Sequence, residues 1–506
     1  MKMLFKLSRL VIGLTALTCS SIAAAEKITF ETSVSKTTDT LVVFHGKNQS
    51  NMIYEKYNKK ANGQLDKAIA AINFKGNYGK FIEILAPNNL AYQRVVIVGT
   101  GEKTLSKDKL TKLGANLSAK LEKKSISNIT IAADDLDGSN AETSALLAHG
   151  ISLRAYSFDK YLKEKRQEKN YYFDVSDGKA ATKAYLPLSY IESGVFLARD
   201  LTNETGTAMT PVEFVEAAKT LKKYGVKIKV LTPKELKKLN MNALEGVGRG
   251  SLHGARLIIA HYEGNNDTPI VLAGKGITFD TGGYNIKTKN MVLQKKDMGG
   301  AATALGTVKA LAMMKAKVNV VAVMGMAANM VSEKAILPGD VLLTAEGISV
   351  EVISTDAEGR LALSDAMWYA RKNYNPEIMI DIATLTGSKI GAVGTEYGAI
   401  FSADDQLVQE LTFAGKQVNE HLWRLPLGYK GKLKSDIADL RNTGTGGPGA
   451  TTAATFLQHF AGDTKWAHLD IAGNALIKSA KDESPKGATG YGVRLLTEWI
   501  LTREKQ

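Results

Sequence analysis

Four carboxylates, Asp280, Asp297, Asp356 and Glu358, stand near three strong bases, Lys275, Lys287 and Arg360. Carboxylates gathered at one place repel each other unless cations neutralise them, and divalent ions that accept oxygen ligands are the natural counter-charge. Four such groups are enough for two ions with shared ligands, about 3.5–4 Å apart as in other two-metal sites. Taken singly, Asp297 reads as a helix N-cap and Asp356 with Glu358 as a polar loop. Their convergence beside two lysines and an arginine favours the metal reading. Asp356 and Glu358 are two residues apart, so an extended segment turns both to one side.

The elements that must position these groups follow from the apolar pattern. A strand over 270–273 runs into Gly274-Lys-Gly-Ile-Thr-Phe-Asp-Thr-Gly-Gly283, whose glycines allow a tight turn that leaves Lys275 and Asp280 projecting from one strand end. Asp297 precedes a helix over 301–315, and a strand over 350–353 leads into Ser354-Thr-Asp-Ala-Glu-Gly-Arg-Leu361. Further strands are expected at 256–260, 318–324, 378–382 and 468–471, with a helix over 361–372. Thr210-Pro211 starts a helix, threonine as cap and proline in the first turn. Strands alternating with helices imply a mainly parallel sheet covered on both faces, with ligands bound beyond the carboxyl ends of its strands.

Upstream, strands at 40–44, 94–99 and 128–133 alternate with helices over 107–123 and 142–156. This α/β unit ends in a polar linker over 163–183, and a helix follows over 186–201. The fold class is therefore α/β: a smaller N-terminal α/β domain within 26–180, then a larger C-terminal domain over 181–506 with a mostly parallel sheet covered by helices. Gly99-Thr-Gly-Glu-Lys-Thr104 has the wrong spacing for a phosphate loop, and Gly250-Ser-Leu-His-Gly254 is not the G-x-S-x-G of a serine hydrolase.

A chain of 506 residues exceeds one ordinary core, and 44% hydrophobic with 23% charged residues excludes a disordered or fibrous class. Residues 1–25 read as a signal peptide: Lys2, Lys6 and Arg9 precede an apolar stretch that ends at Ala23-Ala24-Ala25. Export to the periplasm or the medium is expected, with no membrane association after cleavage. The one cysteine, Cys19, lies in that segment, so disulfides, thiolate ligands and a cysteine nucleophile are excluded from the rest. The net charge of +14 permits polyanion binding. Its lysines, however, are scattered along amphipathic segments, which argues against a nucleic-acid partner.

The segment Ser354-Thr-Asp-Ala-Glu-Gly-Arg-Leu361 resembles the N-T-D-A-E-G-R-L signature of the leucyl aminopeptidase (cytosol aminopeptidase) family. Gly274-Lys-Gly-Ile-Thr-Phe-Asp280, Asp297-Met-Gly-Gly-Ala-Ala302, Phe158-Asp-Lys-Tyr161, Ala328-Asn-Met330, Ala383-Thr-Leu-Thr-Gly387 and Trp466-Ala-His-Leu-Asp-Ile-Ala-Gly473 are similar to its other motifs, in family order. The resemblance implies an exopeptidase acting on peptide substrates, with two divalent ions per subunit (zinc or manganese, with magnesium or cobalt as alternatives), and a homohexamer. It implies that Lys275, Asp280, Asp297 and Glu358 hold one ion. Asp280, Asp356 and Glu358 hold the exchangeable one, with the Asp356 carbonyl. Lys287 then polarises the scissile carbonyl, Arg360 holds a bicarbonate that acts as general base, and Leu385 and Gly387 offer backbone contacts to substrate. Three departures stand out: Ser354 replaces an asparagine, Ala328 replaces a glutamate, and the loop before Asp297 is one residue short. The first two are expected to touch no ligand or catalytic group. The third puts Gln294 where family members commonly have a pocket-lining methionine, unless the shortened loop moves Leu293 into the pocket.

Overall fold

A computed structural model describes residues 26–504, apart from 35–37, 48–50, 102–103, 124 and 137–139. The segment read as a signal peptide lies outside the described residues. No helix among them is long and apolar enough to cross a membrane.

Apolar runs such as Leu41-Val-Val-Phe44 and Val95-Val-Ile-Val98, fully or almost fully buried, form the middle of the first sheet. Its strands are β1 (Lys27–Glu31), β2 (Thr40–Gly46), β3 (Phe81–Leu85), β4 (Arg94–Gly101), β5 (Asn128–Ala132) and β6 (Asn170–Asp174), in the order β1-β6-β5-β2-β4-β3. All neighbours are parallel except β3 and β4. Runs apolar on both faces suit a parallel sheet enclosed by helices.

The structure corrects the linker expected over 163–183, because β6 lies inside it. Tyr171 and Phe173 are buried in the first core while their neighbours are half-exposed, a period-two pattern masked by the flanking charges. The next helix, Gly178–Asn203, starts eight residues earlier than expected and carries Pro187 inside it. It runs from the first core into the second, where Ile191, Val195, Ala198 and Leu201 are buried. Thr210 caps Pro211–Lys219 as expected, in a capping box with Glu213.

The second sheet takes β7 (Lys227–Leu231), β8 (Arg256–Glu263), β9 (Ile270–Asp280) and β10 (Asn319–Asn329). The strands β11 (Val341–Leu343) and β12 (Ser349–Glu351) leave it, and β13 (Ile378–Ala383), β14 (Gly398–Phe401) and β15 (Leu422–Arg424) return. After β16 (Leu440–Arg441), β17 (Lys465–Asp470) completes the order β15-β14-β17-β13-β9-β10-β8-β7. The centre, β17-β13-β9-β10, is parallel throughout. Helix Gly299–Met314 covers one face and Glu358–Tyr374 the other, each with its own apolar core.

The strand expected at 350–353 is not part of this sheet. It is β12, the middle of a separate sheet β11-β12-β16, which brings residues 354–361 to the site from outside.

Candidate metal centre

Lys275 and Asp280 are five apart, so a regular strand would turn them to opposite faces. The register shows how the chain avoids this. β9 and β10 pair step for step up to Ile277 with Ala327, and the next pair is Asp280 with Asn329. β9 takes three steps where β10 takes two, and this bulge carries Asp280 round to the face of Lys275. The glycines of this segment are therefore not all turn-formers, as expected from sequence. Gly274 and Gly276 lie inside the strand, where a Cβ would come within 2.6 Å of Ala301 Cα and 2.2 Å of Met326 Sδ. The turn itself is made by Gly282 and Gly283, with φ of +86° and +61°.

That turn returns the chain so that Lys287 N–H donates to Thr281 O at 2.8 Å. Asn285 and the wholly buried Thr355 clasp each other, Asn285 N–H to Thr355 Oγ1 at 2.9 Å and Thr355 N–H to Asn285 Oδ1 at 2.8 Å. The two loops thus meet, and Lys287 Nζ lies between Asp280 Oδ2, at 2.8 Å, and Asp356 Oδ1.

The extended segment expected to align Asp356 with Glu358 is a turn. Glu358 is already the first residue of helix Glu358–Tyr374 and is 1% exposed, whereas the Asp356 side chain is 36% exposed. The positive end of that helix favours the Glu358 charge. Gly359 is needed there, since a Cβ would stand 2.2 Å from Lys275 Cε.

Lys275 Nζ lies 2.6 Å from Asp297 Oδ2 and 3.0 Å from Glu358 Oε1, and donates to Thr384 O at 3.1 Å. One oxygen each from Asp280, Asp297 and Glu358 lies within 4.8 Å of the others, all three residues buried. Burial pulls the Lys275 ammonium down, but Asp297, Glu358 and Asp280 outweigh it and hold it above its ordinary value. Burial, reinforced by repulsion from Glu358, pushes Asp280 up to about 6. It also pushes Asp297 well up, with Lys275 opposing. Glu358 is held below its usual range, because Lys275 and Lys287 overcome its burial. Lys287 is likewise raised, burial being outweighed by Asp280 and Asp356.

Four carboxylates against two ammonium groups, Lys275 and Lys287, leave excess negative charge, and Glu358 Oε2 is buried without a hydrogen-bond partner. Oxygen donors so placed fit a divalent cation. Of the five expected ligands, Lys275, Asp280, Asp297 and Glu358 come together, while Asp356 stands beyond Lys287.

Sequence reasoning gave no role to the residues that hold this cluster. Asn329 donates to Asp280 Oδ1 at 2.8 Å and to Thr355 O at 3.0 Å, and Thr384 Oγ1 donates to Asp297 Oδ1 at 2.8 Å. Both are polar residues at the carboxyl end of a buried parallel strand, which is the signal that could have found them. Asn442 accepts from Ile353 N–H and Ser354 N–H at 2.8 and 3.3 Å and donates to Ser354 O at 2.7 Å, pinning the Asp356 loop. Ser354 was expected to touch no ligand. Its Oγ accepts the Asp356 N–H at 3.3 Å, so the replaced asparagine position does bear on that loop.

Lys275, Asp280, Lys287, Asp297, Asp356 and Glu358 line a cleft of about 380 Å³ that also takes in Arg360, Leu385, Gly387, Gln294 and Lys296. Arg360 Nη1 donates to Asn442 O at 2.7 Å, while its buried Nε has no partner, and burial lowers its pKa to about 10. The Leu385 N–H is committed to Asp470 Oδ1 at 3.1 Å, and Gly387 begins helix Gly387–Val393. Gln294 and Asp297 lie on the 3₁₀ segment Met291–Met298, and both line the cleft. Leu293 is not part of its wall.

The cytosol aminopeptidase family's catalytic domain matches residues 196–497, and its N-terminal domain matches 41–165. A Shewanella oneidensis protein named "Probable cytosol aminopeptidase 1" is 48% identical over 490 residues, 96% of this chain and 98% of its own. A mutant of tomato leucine aminopeptidase superposes with a TM-score of 0.84 at 30% identity, covering 95% of this chain and 97% of that one. The bottromycin maturation enzyme BotP in complex with Mn gives 0.82 at 27% identity, covering 92% and 100%. The relatives overturn the expected export. The family and the Shewanella protein are described as cytosol aminopeptidases, so the periplasmic or secreted location is withdrawn. Two domain models matched in order, on a chain almost half identical to a relative along nearly its whole length, leave one conclusion: the chain belongs to the cytosol aminopeptidase family and is a metal-dependent aminopeptidase.

Proposed function

We propose that this aminopeptidase works with two divalent ions, zinc or manganese with magnesium or cobalt as substitutes, in the cleft between β9, β13 and helix Glu358–Tyr374. The supporting observation is the buried trio Asp280, Asp297 and Glu358 around Lys275, with Glu358 Oε2 unpaired. Lys275, Asp280, Asp297 and Glu358 would hold one ion, and Asp280, Asp356 with its carbonyl, and Glu358 the other. Bound divalent ions supply Lewis-acid polarisation of the scissile carbonyl and a water acidified to a nucleophile near neutral pH. Lys275 ligates only as a neutral amine, so it gives up its proton when the site fills.

Lys287 keeps its charge and donates to the oxygen on which negative charge develops. Arg360, with its unpaired buried Nε, would hold a bicarbonate ion, which supplies a general base. Leu385 offers its carbonyl to the substrate, since its N–H is taken by Asp470, and Gly387 adds a second backbone contact. Gln294 faces the first side chain of the peptide. Assembly as a homohexamer belongs to the same reading, and sedimentation equilibrium reads it directly.

Hydrolysis of leucine amide by purified protein tests the proposal. Activity should vanish on chelation, return with manganese or zinc at two ions per subunit, and be absent on N-acetylated substrate. Full activity in the chelated protein, or at one ion per subunit, overturns it.

A further inference from the structure

Segment Met291–Met298 carries two adjacent lysines that the structure treats differently. Lys295 turns outward and donates to Asn203 O. Lys296 lines the cleft, and among the described residues its ammonium makes no hydrogen bond or ion pair. The other two lysines of the cleft are both spoken for: Lys275 by Asp297 and Glu358, Lys287 by Asp280 and Asp356. Asp297, the neighbour of Lys296 in the chain, is itself committed, Oδ2 against Lys275 and Oδ1 to Thr384 Oγ1.

An ammonium on a concave, partly dehydrated wall is a poor neighbour for an aliphatic side chain and a good one for an anion. Gln294, one residue beyond Lys295 on the same wall, adds an amide whose Nε2 already donates to Asn290 O at 3.2 Å. Lys296 and Gln294 thus put polar donors on the cleft wall, where a leucine pocket calls for apolar surface.

We propose that Lys296 is a specificity-determining residue that receives a carboxylate of the substrate, so that this aminopeptidase favours acidic peptides over neutral isosteres. The inference rests on the cleft being the aminopeptidase site. A carboxylate reaches it from either of two sources, an acidic first side chain or the free C-terminus of a dipeptide. Both present the same chemistry to an ammonium.

The test separates them with isosteric pairs on metal-loaded protein. One arm compares α-glutamyl with glutaminyl p-nitroanilide, which differ only in the side-chain charge. The other compares leucyl-glycine with leucyl-glycine amide. A charge-assisted hydrogen bond in a partly dehydrated wall corresponds to a preference of about tenfold or more in kcat/KM. Lys296→Met should bring the preferred pair's ratio near unity, and Lys296→Arg should keep it. Collapse of the first ratio assigns the side-chain carboxylate, and collapse of the second the C-terminus. Ratios unchanged in Lys296→Met overturn the inference. Calorimetric binding of glutamate against glutamine, and of leucyl-glycine against its amide, reads the same preferences without turnover. If the loaded wild type fails on leucine amide, the aminopeptidase reading of the cleft fails, while calorimetry still decides Lys296.

Discussion

The cleft has two halves built on different principles. The inner half, Lys275, Asp280, Asp297 and Glu358, sits on a central strand, a 3₁₀ turn and a helix start, and is closed from solvent. The outer half, Lys287 and Asp356, sits on two loops clasped by Asn285 and Thr355, with side chains 20% and 36% exposed. Burying like charges costs several kcal/mol per ion unless a counter-charge is close, so the inner half tolerates no slack and is carried by the most rigid elements. The outer pair is partly hydrated. Rigid placement suits an ion held permanently, and loops suit groups that meet substrate and an exchangeable ion.

The sharpest way to break this comparison is to remove one charge from each half. Glu358→Gln should abolish hydrolysis and empty both ion positions, because the proposed arrangement has Glu358 serve both and its carboxylate is buried. Asp356→Asn should also abolish hydrolysis, yet keep close to one ion per subunit by elemental analysis. Equal metal loss in the two variants would show that the halves are not distinct. Lys287→Ala comes next. Its proposed role is in the transition state, so kcat should fall by about 10²-fold or more with two ions retained. Metal loss as large as in Glu358→Gln would make Lys287 part of the ion site rather than a donor to the substrate.

The two halves were also unequally legible in the sequence. The inner residues stand out because carboxylates and lysines are rare at the ends of apolar strands, and the strands at 270–273 and 378–382 were visible from their runs of β-branched and apolar residues. Their geometry was not visible. The bulge that aligns Lys275 with Asp280 depends on pairing with β10, which no local pattern encodes. The outer half failed at the level of elements. Residues 350–353 read as a strand, and 350–351 belong to β12, but nothing local distinguishes a strand of the main sheet from one of a separate three-stranded sheet. The turn that separates Asp356 from Glu358 was mistaken for extended chain because Glu358 starts a helix without a side-chain cap. β6 was lost for a similar reason, its two buried aromatics being outweighed by the charges of 163–168.

The smallest expected effect concerns the wall between the halves, at Gln294. The alternative that a shortened loop brings Leu293 into the pocket is not what the structure shows: Gln294 lines the cleft and Leu293 does not. In the proposed placement, an apolar first side chain that enters must displace water from the Gln294 amide. For a fully enclosed amide the loss would be roughly 1–3 kcal/mol. Gln294 is only half-buried and keeps Nε2 on Asn290 O, so its unsatisfied part is mainly the carbonyl oxygen, and about 1 kcal/mol is the appropriate scale. Methionine there offers a flexible thioether that adapts to leucine or methionine side chains. Gln294→Met should therefore raise kcat/KM for leucyl p-nitroanilide about fivefold, and leave or lower that for glutaminyl p-nitroanilide. Because the change adds no charge, the preference between glutamyl and glutaminyl substrates should move far less than in Lys296→Met. A wild type that already prefers leucine strongly, with no gain in Gln294→Met, would mean that the first side chain passes Gln294 by and rests on another part of the cleft.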